Sequence, residues 1–184
     1  MKHTIWLLLI GIVFCFAKCE KEKPIDSNNN NIPGLPPATQ TGANTLGFLL
    51  NGVPWTPAGN NGTANLSMDF DPGINNGIFG IAAYHATLMD ISSFAFGIRD
   101  SLNHAVVPQM YSIEKISLGG LIFRDKFLCE RDSDDSLIHT KGSILINRLD
   151  RTNGIISGTF ECTLFNPSCG DTIKITKGRF DMKF

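Results

Sequence analysis

The 184-residue sequence has little charge, few polar aromatic residues and no repeated unit. Charged residues make up 18% of the chain and the net charge is −1, so its composition gives no electrostatic reason to expect a nucleic-acid partner. Two Trp and two Tyr stand against thirteen Phe, a balance that favours core packing over a recognition surface. No window of eleven or more residues carries a helical hydrophobic stripe, which argues against coiled coils and helical bundles.

Signatures of common enzyme and metal sites are also missing. The sequence has no Gly-x-Ser-x-Gly elbow, no Walker loop and no dinucleotide-binding glycine pattern. Its four histidines are isolated, without the spacing of paired metal ligands. The acidic stretch 130–135 departs from the calcium-loop pattern where Ser136 and Leu137 follow it. We therefore predict no catalytic residue, no metal ligand and no cofactor.

An apolar run near the N-terminus predicts an export signal. Lys2 provides a basic start, and residues 5–17 are almost unbroken apolar. The run is shorter than the roughly 20 residues that span a bilayer as a helix. A basic start followed by a short apolar stretch is typical of a secretory signal peptide. We predict a signal peptide over residues 1–18, with an uncleaved membrane anchor as the alternative.

A cysteine stands where that apolar run ends. Residues 16–19 read Phe-Ala-Lys-Cys, and Cys19 is followed by four charged residues. This junction resembles the lipobox of bacterial lipoproteins, in which the peptide is cut before a cysteine that is acylated and becomes the first residue. The resemblance implies lipid attachment at Cys19. Attachment at Cys15 and signal cleavage without lipidation are the alternatives.

The next segment is predicted to be a tether. Residues 20–43 contain four prolines, an asparagine run over 28–31 and no aromatic residue. With no aromatic group to bury, such a chain cannot offset the entropy lost on ordering. We predict that residues 19–43 are the acylated cysteine and a flexible tether, and that residues 44–184 form a single domain.

From residue 44 onward, apolar and polar residues alternate in short runs. Leu46, Phe48 and Leu50 occupy every second position of segment 46–50, and Phe94, Phe96 and Ile98 are in phase within segment 91–98. This spacing is typical of strands with one buried face. Asn51-Gly52 is a strong hairpin signal. About nine or ten strands at this spacing predict an all-β domain, either an antiparallel β-sandwich or a partly closed barrel. Residues 121–129 are predicted as one strand, and residues 113–118 are the one plausible helical turn.

The final strand alternates apolar with charged side chains. The pattern predicts a core-facing and a solvent-facing set: Phe180, Met182 and Phe184 inward, and Arg179, Asp181 and Lys183 outward. We interpret Arg179 and Asp181 as residues that build the sheet, close enough for a polar pair, rather than as a ligand site.

Three cysteines lie in the predicted domain. An exported protein meets an oxidising compartment, in which thiols tend to pair. Cys162 has the parity of a core position, where cysteine behaves as a small hydrophobic residue. Cys129 ends a strand and Cys169 lies in a turn, so both are expected at sheet ends. We predict a Cys129–Cys169 disulfide; a Cys162–Cys169 pair and the absence of any disulfide are the alternatives.

Two groups of motifs resemble a known family. The first is Ala38-Thr-Gln-Thr-Gly-Ala-Asn-Thr45, followed by Gly47 and by Asn51-Gly52 with Trp55. The second group comprises Leu149-Asp150, Ile156-Ser-Gly-Thr-Phe-Glu161 and Gly178-Arg-Phe-Asp181. Together they are similar to an uncharacterised family of lipoproteins, a domain of unknown function in Gram-negative cell envelopes. The resemblance implies an envelope location and a β fold, and it transfers no activity, substrate or catalytic residue.

These observations lead to one functional expectation. We expect a lipid-anchored cell-envelope protein, not an enzyme, with a structural or binding role, attached through its N-terminal lipid to a membrane. The outer membrane is the expected site, with the domain in the periplasm or at the cell surface. A glycan- or small-ligand-binding lipoprotein is the alternative, and an envelope hydrolase is less favoured. Neither a protein nor a glycan partner can be named from the sequence.

Overall fold

The computed structural model describes residues 31–60, 62–88, 90–99, 101–114, 120–133 and 138–184. Within these ranges the chain forms eleven strands and one short 3-10 helix over Leu102–His104. The strands are β1 Thr45–Leu50, β2 Val53–Trp55, β3 Leu66–Asp71, β4 Ile78–Ala86, β5 Ile91–Ile98, β6 Gln109–Ser112, β7 Gly120–Arg124, β8 Glu130–Asp132, β9 His139–Asp150, β10 Ile155–Asn166 and β11 Asp171–Lys183.

The strands form two antiparallel sheets. One sheet has six strands in the order β2-β1-β11-β10-β9-β6, and the other has five in the order β3-β4-β5-β7-β8. Each sheet turns its apolar face towards the other, which is the arrangement of a β-sandwich. The predicted all-β fold is confirmed in its sandwich form, and the described residues carry one strand more than the upper end of the predicted number.

The turn between β1 and β2 follows the hairpin prediction. Asn51 has φ 49° and Gly52 has φ 87°, the left-handed conformation that a tight two-residue hairpin turn requires at both central positions. Leu50 and Val53 pair directly across it. The Asn51 side chain also accepts a hydrogen bond from the Lys174 N–H at 2.7 Å, which ties this turn to β11.

The predicted strand 121–129 is wrong in its second half. β7 ends at Arg124, and a turn over residues 125–129 leads into β8, which sequence alternation did not reveal. The Asp125 carboxylate closes this turn by accepting hydrogen bonds from the N–H groups of Phe127 at 2.8 Å and Cys129 at 3.0 Å. Most of the predicted helical turn 113–118 lies outside the described residues.

Aromatic rings fill the space between the sheets. The Phe160 centroid lies 4.9 Å from that of Phe96 and 5.4 Å from that of Phe94, so residues of both sheets meet at one ring. Trp55 stacks on Phe48 at 4.7 Å, and its Nε1 donates to the Ser92 hydroxyl at 2.9 Å. Burial of such side chains contributes about 1.5–3 kcal/mol each. Most phenylalanines of the domain therefore pack in the core between the sheets.

Core parity holds through most of the two long C-terminal strands. Cys162 and Leu164 are buried, as are Phe180 and Met182. Among the residues predicted to face the core, Phe184 is the exception, because it lies beyond β11 and is 37% exposed. Its ring packs on Phe70 at 4.3 Å between centroids. Arg179 and Asp181, which were predicted to face solvent, are both buried.

Four turns lie at one end of the sandwich, which we call the hairpin end. They connect β1 to β2, β4 to β5, β7 to β8 and β10 to β11. Two links join the sheets there: the Cys129–Cys169 disulfide and an ion pair between Arg131 and Asp171. The opposite end carries the β3–β4 and β9–β10 turns and the C-terminus.

Candidate functional site

A buried carboxylate on the outer face of the six-stranded sheet holds the N-terminal segment. Asp181 on β11 is 1% exposed. Its two oxygens accept hydrogen bonds from the Thr39 hydroxyl at 2.6 Å and from three backbone N–H groups, Thr41 at 2.8 Å, Gly42 at 2.7 Å and Ala43 at 3.2 Å. The Thr41 hydroxyl adds a fifth at 3.2 Å. We call Asp181 together with residues 39–43 the Asp181 clamp.

The clamp keeps its carboxyl ionised. Burial by itself raises the pKa of Asp181, but the hydrogen bonds from Thr39, Thr41, Gly42 and Ala43 outweigh it. The net pKa therefore lies below its ordinary value, because these donors stabilise the charged form. The charge is thus supported by the oriented N–H and O–H dipoles of residues 39–43.

This shift predicts how the clamp responds to acid. Because the folded pKa lies below the unfolded value of about 3.9, the clamp contributes stability above that pH and loses it as the pH falls through the folded pKa. In an NMR titration we expect the Gly42 amide proton to report a midpoint below about pH 4. Asp181→Asn should remove this titration, and a midpoint at or above the unfolded value would contradict the prediction.

Two arginines extend the attachment on either side of the clamp. Arg179 Nη1 donates to the Pro36 carbonyl at 3.4 Å, and Arg148 Nη1 donates to the Gln40 carbonyl at 2.5 Å. Leu35 is buried as well. The predicted flexible tether is therefore wrong for residues 35–43. That segment is ordered because its backbone and threonine hydroxyls find partners on β9 and β11, and the domain begins before residue 44.

The clamp also explains the motifs noted in the sequence. Ser157 pairs in register with Asp181 on one side and with Arg148 on the other, and Thr45 pairs with Asp181 across β1. The motif segments at the two ends of the domain therefore meet at one place. Asp181 was predicted to face solvent; it lies on the outer face, as its parity requires, but residues 39–43 cover it.

Asp150 completes this region at the β9–β10 turn. It accepts hydrogen bonds from the Asn153 side chain at 2.7 Å, from Arg148 Nη2 at 2.7 Å and from the Thr152 N–H at 3.1 Å. The Asn153 and Arg148 hydrogen bonds hold the pKa of Asp150 well below its ordinary value. Arg148 thus links the β9–β10 turn to the N-terminal segment at Gln40.

An open groove lies beside the clamp, over an irregularity in β11. Between Phe160 and Cys162 the register with β11 shifts, and Lys177 takes φ 55°. Such a bulge redirects side chains. The groove has a volume of about 390 Å³ and is lined by Lys177, Arg179 and Glu161 together with apolar atoms of Met110 and other residues.

The predicted cysteine pairing agrees with the structure. Cys129 and Cys169 form a disulfide with their Cα atoms 6.1 Å apart. Cys162 is a free, buried cysteine, so the Cys162–Cys169 alternative is not found. Burial, with a smaller contribution from Glu161, raises the pKa of the Cys162 thiol to about 12. A thiol held protonated in this way is a poor nucleophile.

Beside the disulfide lies a charged residue that sequence reasoning missed. Arg131 on β8 is 1% exposed. Its guanidinium pairs with Asp125 at 3.1 Å and with Asp171, and it donates to the Cys129 carbonyl at 3.3 Å. Within β8, the buried Arg131 side chain lies on the face opposite to those of Glu130 and Asp132. Its two acidic partners, one 40 residues away, could not be paired from the sequence alone.

The acidic stretch 130–135, in which no metal ligand was predicted, begins with strand β8. Glu130 pairs with Arg124, and Asp134 and Asp135 lie outside the described residues. In the part of the chain that the structure describes, no three His, Cys, Asp or Glu side chains are grouped as metal ligands. His85 has its Nδ1 2.8 Å from the Thr56 carbonyl.

The predicted lipid-attachment residue Cys19 and the predicted signal peptide lie outside the described residues. Among the residues that the structure does describe, no helix has the length and apolar character needed to cross a membrane. Comparisons of the chain with protein families, with curated proteins and with solved structures find no match.

Proposed function

We propose that this chain is a lipid-anchored cell-envelope protein whose β-sandwich has a non-catalytic structural or binding role. The lipid is attached at Cys19, at the end of the apolar run of residues 5–17. Several acyl chains on one cysteine hold a protein firmly, because each buried methylene contributes about 0.8 kcal/mol and one chain alone binds marginally.

The Asp181 clamp is the observation that carries this proposal. It fastens the segment that follows the predicted anchor to a strand inside the six-stranded sheet, through five hydrogen bonds to one carboxylate. The peptide chain already joins the anchor to the domain, and the clamp fixes the place on the six-stranded sheet from which the connecting segment leaves. A lipid attached at Cys19 would therefore hold the domain through a defined point of its fold.

The charged residues of the domain support a non-catalytic role. Asp181, Arg131 and Asp150 are each engaged by several hydrogen bonds within the fold. The groove beside the clamp offers one carboxylate, Glu161, whereas glycoside hydrolysis requires two facing each other. Charged residues arranged in this way are typical of groups that stabilise the fold rather than of catalytic residues.

Metabolic labelling tests the anchor. In a Gram-negative host given labelled palmitate, we expect the full chain to incorporate the label and to fractionate with membranes. Cys19→Ser should lose both, because it removes the thiol that is acylated. Cys15→Ser is the matched control and should retain both. Label that persists in Cys19→Ser would refute the proposal, and its loss in Cys15→Ser alone would assign the anchor to Cys15.

A second candidate role is the binding of a glycan or another small ligand in the groove beside the clamp. The β11 bulge favours it, because it directs Lys177 to the groove that Arg179 and Glu161 also line. Cations of this kind suit an acidic sugar. An exposed aromatic platform for sugar stacking is not part of the groove, since Phe160, its aromatic lining residue, is buried.

A titration with glucuronate, with glucose as the neutral control, tests this second role. We expect NMR shift changes confined to residues near Thr159, Glu161 and Lys177, and their loss in Lys177→Met because the cation is removed. If glucuronate causes no shift changes, or glucose causes the same ones, the acidic-sugar role is wrong.

A further inference from the structure

Exposed apolar side chains are concentrated at the hairpin end of the sandwich. The described residues include nine large hydrophobic side chains that are exposed. Five of them belong to the hairpin end, and we call these five the apolar rim: Val53, Leu88, Ile91, Phe127 and Leu128. Scattered exposed hydrophobic residues need no explanation, but a cluster on one face marks an interaction site.

The strand registers place these residues at the same end of the sandwich. Ile91 pairs with Ala86 at the β4–β5 hairpin, and Ser93 pairs with Arg124 at the end of β7. The β4–β5 and β7–β8 turns are therefore neighbours at one sheet end, with strands about 5 Å apart. Val53 begins β2 beyond the Asn51-Gly52 turn at the same end.

The β7–β8 turn is built to present its two apolar residues. Phe127 is 80% exposed and Leu128 is 74% exposed, yet the turn is fixed by Asp125 and by the Cys129–Cys169 disulfide. Leu128 has φ 63°, a conformation that glycine or asparagine adopts more readily than leucine. Neither burial nor backbone preference accounts for a leucine at this position.

The ordered N-terminal segment leads towards the same end. Towards the N-terminus from the clamp, Pro36 accepts a hydrogen bond from Arg179. Gly34 then lies against Pro54 of β2, which is next to Val53. Asn31 is twelve positions after Cys19. Fully extended, that connection spans at most about 43 Å, so an anchor at Cys19 lies within this distance of Asn31, which stands three positions before the Gly34 that lies against Pro54.

We propose that the apolar rim inserts into the interface of the membrane that carries the Cys19 anchor, so that the domain rests on the lipid surface by its hairpin end. This inference rests on the proposed function, since it takes the anchored membrane as the occupant. Lys126, with Nζ 5.3 Å from the centre of the Phe127 ring, is suited to the phosphate groups at that depth. Withdrawing one large apolar side chain from lipid changes a binding constant by roughly tenfold.

Depth-dependent quenching tests the orientation in the acylated full chain. The chain is reconstituted in vesicles of phosphatidylethanolamine and phosphatidylglycerol whose acyl chains carry bromine. Phe127→Trp adds a reporter to the apolar rim, and Ile74→Trp adds a matched reporter at an exposed apolar position in the β3–β4 turn, at the opposite end. We expect strong quenching of the first reporter and none of the second, beyond the background of the unsubstituted chain. Equal quenching, or no quenching at position 127 in vesicle-bound protein, overturns the proposal.

A second measurement separates this inference from the anchor. If palmitate labelling shows no acylation at Cys19, the proposed function fails, and the same full chain is then sedimented with the same vesicles. Leu128→Asn should weaken the association by roughly tenfold without lowering thermal stability, because asparagine tolerates the left-handed backbone. Ile74→Asn should leave association unchanged. Equal association of all three chains, no association of the parent chain, or a dimer that depends on Leu128 each overturns the proposal.

Discussion

Asp181→Ala is expected to destabilise the domain by about 3 kcal/mol and to free the N-terminal segment for proteolysis. Hydrogen bonds to a charged group contribute about 1.5–3 kcal/mol each, but these five share one carboxylate, and the released segment regains entropy and water contacts. Denaturant unfolding gives the free-energy change, and limited proteolysis followed by mass spectrometry locates cleavage within residues 36–43.

Two variants calibrate this result. Asp69→Ala removes an exposed carboxylate from β3 and should change stability by no more than about 0.5 kcal/mol. Asp181→Asn keeps the shape of the side chain and leaves one oxygen acceptor, so it should fall between the parent and the alanine variant. A stable Asp181→Ala protein with a protected segment would show that the clamp does not hold the chain.

Removal of the disulfide should cost about 4 kcal/mol of unfolding free energy. Cys129 and Cys169 are separated by 40 positions, and closing a loop of this length restricts the unfolded chain by about that amount in the chain-entropy model. We expect the double variant Cys129→Ser/Cys169→Ser to unfold at lower denaturant concentration while keeping its β-sheet circular dichroism.

Reduction provides the matched control for this second prediction. Dithiothreitol should lower the stability of the parent chain to nearly that of the double serine variant and should leave the variant itself unchanged. If reductant affects both chains equally, or neither, then the disulfide does not supply the difference. Arg131 remains in place in both proteins, so its ion pairs with Asp125 and Asp171 do not enter the comparison.

Much of the sandwich could be predicted because its strands have one buried face. Alternation in the sequence identified β1 and β5 closely, and Asn51-Gly52 identified the first turn, since these signals are local. The division of residues 121–129 into β7, a turn and β8 could not be found in this way. Phe127 and Leu128 read as strand residues, and the turn depends on how the Asp125 carboxylate folds back on the backbone.

The clamp escaped prediction for a different reason. Residues 39–43 have neither an apolar stripe nor aromatic groups, and their order comes from a carboxylate about 140 positions away. A lone aspartate in a terminal strand reads as a solvent-facing residue until its neighbour in space is known. The disulfide was predictable because Cys129 and Cys169 both lie at one end of the sheets, in turns next to strands, whereas Arg131 and its acidic partners carry no comparable signal.

The place of β11 in its sheet has a mechanical consequence. This strand lies between β1 and β10 rather than at an edge, and the segment leading to the predicted anchor is attached to it at Asp181 and Arg179. A pulling force applied through the N-terminus would therefore enter the sheet at an interior strand. It would load the ladders on both sides of β11 together instead of peeling one strand from the edge.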